Sequence, residues 1–265
     1  MLTLDPVPEI PLVGAPLFQV ICQVRFSNTP ALVGDQNSVA LADVLAGYPV
    51  GRTVQGLTLS IGAGGEPTPR HQLIRQFSST DGAWQVSVAE GFVSLETSAY
   101  NSRTDFCDRM VAILQAITGL AKPPVLDRVG LRYIDRWSEP AVLGDIAQLI
   151  EPSVLGIFGE IGEGLGVVHT IGQHMLSIDS GGAIQLRSGY LPPQGSLDPA
   201  IPPLNVPSWV LDIDVFREWS PSADFAVEYI DATIRTFAEH AHSVFRWATT
   251  DEFIRRYRKS PGSRT

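Results

Sequence analysis

Four arginines form the clearest chemical pattern in this chain. Arg128, Arg132 and Arg136 are spaced by four residues through a run in which Val129, Leu131, Tyr133 and Trp137 alternate with polar neighbours. Alternation at period two reads as a half-buried strand, and an even spacing puts all three guanidinium groups on one face of it. Arg25 takes the place of Arg132 in an earlier pattern, Gln23-Val24-Arg25-Phe26 set against Gly130-Leu131-Arg132-Tyr133. A guanidinium is planar, permanently charged and able to fork onto two oxygens, so such a row could clamp a carboxylate or phosphate. A competing partner lies further along the chain. Asp212 and Asp214 share a parity in the strand pattern Trp209 to Phe216 and could pair with the arginines across a sheet, or serve as acid or base beside a bound anion. On an exposed edge strand those two carboxylates would simply be solvated.

The elements that would position these residues come in a repeated order. Gly82-Ala83-Trp84-Gln85-Val86 is echoed by Gly182-Ala183-Ile184-Gln185-Leu186, an arginine-bearing strand precedes each copy, and a long helical pattern follows each. Recurrence of the same elements in the same order predicts an α+β protein of two pseudo-duplicated β-α-β-β-β-α units. The expected boundaries are 1–122 and 123–265, in antiparallel curved sheets each packed on a long helix, either separate or merged into one domain. The first unit reads as a strand over Leu17 to Phe26, a helix over Gln36 to Ala46, a Gly/Pro-rich loop from Gly62 to Pro69 and strands over 73–78, 83–89 and 92–99. Asp81-Gly82 and Glu90-Gly91 supply its turns. A helix follows, capped by Ser102 with Asp105 and stopped by Gly119. The second unit repeats the plan, with a helix near 142–150 and strands near 166–178, 183–190 and 208–216. Ser220-Pro221 would then start the final long helix, and a capping box at Thr249 and Glu252 a short one. Between its last two strands, Leu191 to Pro207 holds six prolines in seventeen residues, which predicts an ordered surface excursion or a flap.

Other residues that could do chemistry do not assemble. His240 and His242, two apart on a helix, point about 200° from one another, and His169 and His174 fall on opposite strand faces. Cys22 and Cys107 make no metal spacing or disulfide framework and fit a reducing cytoplasm. Gly162-Glu163-Gly164-Leu165-Gly166 lacks the third glycine of a dinucleotide loop and leads into a strand, where a phosphate cradle needs a helix N-terminus. No Walker lysine, nucleophile-elbow serine or Cys-His arrangement is present, so neither a cofactor nor a metal is expected and no residue is assigned a catalytic role. A net charge of -9 argues against general nucleic-acid binding. The exception is a basic tail, where Arg255, Arg256, Arg258, Lys259 and Arg264 could form an arm for an acidic partner or simply a solvated helix end. Met1 to Gly14 has no basic region followed by an apolar run, and no segment approaches a membrane span in apolar length.

The chain also resembles a sporadically distributed bacterial family of uncharacterised proteins of about this length. The matching features are Ala15-Pro16-Leu17 leading into Gln23-Val24-Arg25-Phe26, the Tyr48-Pro49 pair, the strand Gly130-Leu131-Arg132-Tyr133-Ile134, and the run His242 to Phe245 with Thr250-Asp251-Glu252. The resemblance implies a bacterial or phage origin and a mobile accessory gene, and brings no activity or catalytic residues with it. The leading functional expectation is a non-enzymatic binding or regulatory protein that recognises another protein or its own copy. An antitoxin-like, immunity or defence-associated component is one such protein. The alternative is an anion- or small-ligand-binding protein or enzyme using the arginine face.

Overall fold

In a computed structural model, which describes residues 1–61, 67–161 and 165–258, the chain is a mixed α+β protein. Its strands are β1 (Leu17–Phe26), β2 (Val50–Ile61), β3 (Pro67–Ser78), β4 (Trp84–Val88), β5 (Phe92–Thr97), β6 (Val125–Trp137), β7 (Thr170–Ser177), β8 (Ala183–Leu191) and β9 (Ser208–Asp224). Its helices are α1 (Ser38–Val44), α2 (Arg103–Leu120), α3 (Pro140–Gly144), α4 (Ile146–Leu149), α5 (Pro152–Leu155), α6 (Val227–Ala248) and α7 (Asp251–Tyr257). The strands form one antiparallel sheet in the order β2-β3-β4-β5-β1-β6-β9-β8-β7. The chain divides into two compact units. One comprises Met1–Phe18, Arg132–Val215 and Thr236–Thr265, the other Gln19–Leu131 and Phe216–Arg235, and the boundaries fall within β1, β6, β9 and α6.

In the unit built on Gln19–Leu131, strand alternation separates an apolar from a polar face. Opposed residues run in rows across β1, β5 and β4: Val20, Thr97 and Trp84, then Cys22, Leu95 and Val86, then Val24, Val93 and Val88, all buried. Helix α2 covers this face. Its Phe106 ring lies 6.0 Å from that of Trp84, its Arg109 guanidinium 4.4 Å over the same indole, and its stripe Met110, Ile113, Leu114 and Ile117 is buried. The helix starts where expected, with Ser102 Oγ accepting from the Asp105 N–H.

Several elements differ from the sequence reading. Strand β2 was not expected, because Gly51 and Gly56 break its apolar pattern. Across the ladder from Gly51, the Phe77 ring lies 3.7 Å from where a Cβ would sit and fills that space. Strand β3 begins at Pro67, inside the expected loop, whose residues 62–66 lie outside the described part. The prolines are accommodated because β4 pairs only with Arg75–Ser78, leaving the start of β3 without a ladder on that side. The expected helix near 142–150 is broken at Gly144-Asp145 into α3 and α4. Ser220-Pro221 does not begin a helix but lies within β9. The outer part of that strand is held to β6 by a Ser222 hydroxyl donating to Asp127 at 2.7 Å, and α6 begins at Val227. Thr250, not Thr249, caps α7, accepting from the Phe253 N–H.

In the other unit, Phe253 of α7 is fully buried among Trp137, Phe245 and Tyr257. Eight residue pairs join β7 to β8, and at one of them Gly189 faces Ile171 so closely that a Cβ would overlap the Thr170 carbonyl. Gly189→Ala is therefore expected to lower stability by about 1–3 kcal/mol through overpacking of this ladder. Urea titration of the two proteins checks it, and an unchanged midpoint would show that the close approach relaxes without cost.

Candidate functional site

The arginine row is largely consumed by the chain's own carboxylates. Asp212, in β9 and only 1% exposed at its side chain, accepts from Arg132 through Nε at 2.7 Å and a terminal nitrogen at 3.1 Å. On its other side it accepts from Arg187 Nε of β8 at 2.7 Å. A second carboxylate, Asp198 from the Pro-rich loop, bridges the same two guanidinium groups at 2.8 and 2.5 Å. The result is a quartet of two arginines and two aspartates, closed on itself and electrically neutral. Burial opposes the charge on Arg132, but its hydrogen bonds to Asp212 and then Asp198 outweigh it and hold the guanidinium above its usual range. For Asp198 burial likewise works against ionisation, and the bonds from Arg187 and Arg132 win, keeping its carboxyl below the ordinary value.

Arg136 is turned to a different task. It is buried, donates through Nε to Ser208 Oγ at 3.0 Å and through a terminal nitrogen to the Pro202 carbonyl at 2.5 Å, and burial lowers its pKa. The loop over 192–207 is thus fastened at two points, Asp198 and Pro202, by residues of the strands beneath it. It is braced internally as well. Gln194 bonds to the Leu204 carbonyl at 2.7 Å and to Asn205 at 2.6 Å, and Ile201 is fully buried. The expected excursion is ordered, and its prolines 193, 199, 202 and 203 with Val206 remain exposed.

The remaining candidates are not gathered into this cluster. Arg128 pairs with Glu218 at 3.6 Å and lies 4.8 Å over the Phe216 ring. Arg25 is exposed on β1, and Asp214 is half-buried two residues beyond Asp212. The expectation of solvated acids on an edge strand fails for Asp212, because β9 is an interior strand between β6 and β8. In the basic tail, Arg255 pairs with Glu252 and Arg256 with Asp145 of the α3–α4 junction, both at 2.6 Å. Lys259 and Arg264 lie outside the described residues, as does most of the Gly162–Gly166 run.

No protein-family model, curated protein or solved structure matches this chain. Its chemistry therefore has to be read from its own side chains.

Sequence reasoning missed Arg187 and Asp198, half of the quartet. It also missed a shallow cleft of about 240 Å³ on the polar face of β1, β4 and β5, lined by Gln19, Gln85, Glu96 and Ser98. There burial raises the Glu96 carboxyl, against donation from Gln85, attraction from Arg52 and donation from Gln19 at 2.8 Å. The echo Gly82-Ala83-Trp84-Gln85 was the available signal, since it marked Gln85 without giving it a role. Among the described residues no three potential metal ligands converge, and no helix is long and apolar enough to cross a membrane.

One acid stands apart. Asp135 falls on the face of β6 opposite Arg132 and Arg136 and is 2% exposed. Burial pushes its carboxyl up to about 8, with repulsion from Asp212 adding to the shift. The folded chain thus keeps a proton that the unfolded chain releases near the ordinary value of 3.8. Stability falls as pH rises between those values and levels off above about 8, by at most about 1.4 kcal/mol per pH unit. Asp198 acts in the opposite sense, its contribution being lost only as pH drops through the acid range. Asp135→Asn is expected to flatten the neutral-range slope in urea titrations at a series of pH values. An unaltered slope would show that Asp135 ionises freely. Arg187→Ala, which leaves Asp212 and Asp198 to share Arg132 alone with one negative charge uncompensated, is expected to cost about 3 kcal/mol in the same assay.

Proposed function

We propose that this protein is a non-enzymatic protein-recognition module, of the regulatory kind represented by antitoxin-like, immunity or defence-associated components, and that the loop over 192–207 is its contact surface. The observation that carries the reading is the attachment of that loop from beneath by Arg132, Arg187 and Arg136. Recognition loops gain affinity when their conformation is fixed before binding, because less entropy is lost on association. Six prolines and two polar anchors serve that end, and the exposed prolines with Val206 offer an apolar contact surface. Internal duplication belongs to the same proposal. It is supported by the strand order, in which β1-β5-β4-β3 runs outward on one side as β6-β9-β8-β7 does on the other.

A second reading, anion or small-ligand binding or catalysis through Arg25, Arg132 and Arg136, is favoured by Arg25, whose side chain is exposed on β1. Against it, Arg132 and Arg136 are already bonded within the chain.

Native mass spectrometry of the protein purified gently from its source separates the two. A stoichiometric protein partner is expected, and Val206→Asp, which alters an exposed side chain and leaves the anchors in place, is expected to reduce its occupancy about tenfold, equivalent to 1.4 kcal/mol. A bare mass, or one raised only by a small anion, would overturn the recognition reading in favour of the second.

A further inference from the structure

We infer that β7 is a docking edge for a second copy of this chain, paired antiparallel about a two-fold axis so that two sheets continue into one. Strand β7 ends the strand order and is laddered on one side only, to β8. Along its other side no strand runs among the described residues, so a row of backbone N–H and C=O groups faces outward. Proteins that keep such an edge in water defend it with lysines, prolines, bulges or a short strand. Strand β7 has none of these: it is eight residues long, Thr-Ile-Gly-Gln-His-Met-Leu-Ser, regularly paired and free of proline and of acidic or basic residues other than one histidine. The opposite edge of the sheet differs. There β2 carries Arg52, bonded to Gln76 at 2.8 Å and to Gln85 at 3.1 Å.

Two further observations bear on the same edge. Exposed apolar side chains collect beside it: Met175 is 56% exposed within the strand, and Val168, two residues before it, is 79% exposed. Ile157, 68% exposed, is next to Phe158, whose ring stacks on Tyr190 opposite Thr170 at the start of β7. Such side chains clustered at an edge mark an association surface. In addition, β3, which takes in the first half the place that β7 takes in the second, has β2 along its flank. Among the described residues the second half has no such covering strand.

The composition of the edge favours a copy of itself over a foreign strand. Asp, Glu, Lys and Arg make up 18% of the chain, yet residues 164–178 contain none. In an isologous interface each residue near the axis meets its own counterpart, so any charge there would face a like charge. A different partner imposes no such condition and is ordinarily matched by complementary charge. An axis perpendicular to the sheet through Gln173 sets that residue opposite its copy and Ile171 of one chain opposite Met175 of the other, with both faces kept in phase.

The test is the mass of the purified wild-type chain by light scattering coupled to size exclusion, from low micromolar to several hundred micromolar. A concentration-dependent species of twice the 28.7 kDa chain mass is expected. Gln173→Lys, which opposes two ammonium groups across the axis, is expected to weaken the dimer at least about tenfold with an unchanged circular dichroism spectrum. Gln55→Lys on β2 should leave it intact. A monomer at every concentration, or a dimer indifferent to Gln173→Lys, overturns the inference. So does a wild-type monomer that instead captures another protein in a Gln173→Lys-sensitive way, which would assign the edge to a foreign strand. None of these outcomes bears on the loop over 192–207, whose reading stands or falls with Val206→Asp.

Discussion

A buried carboxylate held between two guanidinium groups is the constraint on which the central part of this fold depends. Moving Asp212 out of water costs several kcal/mol, and only close, forked geometry offsets it. That geometry requires Arg132 from β6, Arg187 from β8 and Asp212 from β9 to arrive level with one another. A slip of one residue in any of the three strands would turn one charge to the other face and leave the rest unpaired. Apolar residues could fill the same volume with equal stability but would tolerate such slips more readily. The quartet thus specifies register, and through Asp198 it also specifies where the connection between β8 and β9 must fold back.

The polar faces of the two units are put to different uses. In the unit containing Gln19–Leu131, the face opposite α2 carries Glu96 with Gln19 and Gln85 in a shallow cleft that stays open. In the unit containing Arg132–Val215, Arg132 and Arg136 are roofed by the chain's own loop. Asp135 is the exception to this tidy division, an acid on the side of β6 shared with the buried Leu131 and Trp137. Burial, with repulsion from Asp212, favours its neutral form.

Strands with clean alternation were legible from the sequence, as were helices with explicit caps. Val20, Cys22, Val24 and Phe26 announced β1, and Ser102 with the stripe from Phe106 to Ile117 announced α2. Strand β2 was hidden because its glycines make sense only once Phe77 is seen lying across from Gly51. The pairing of Arg132 with Asp212 could be anticipated from parity, a local property. Arg187 and Asp198 could not, since their part depends on β8 lying beside β9 and on where a proline-rich loop returns. Helix initiation at Ser220-Pro221 failed for a related reason: the dipeptide satisfies the local rule for a helix start, and the Ser222–Asp127 bond overrides it. Exposure of β7 along one side was invisible for the same reason, because a strand's place in the sheet order is a property of the whole topology.

The placement of β1 between β5 and β6 has a bearing on how the chain comes to be made. Of the strands described, β1 is made before the others yet lies within the finished sheet, and its bond from Gln19 to Glu96 closes across 77 residues. Synthesis at about 5–20 residues per second leaves β1 waiting for seconds before β5 emerges, and longer for β6. During that interval Val20, Cys22, Val24 and Phe26 have no sheet to join. The order of the strands thus leaves a nascent apolar strand to be shielded meanwhile, by the downstream helix α1 or by a chaperone.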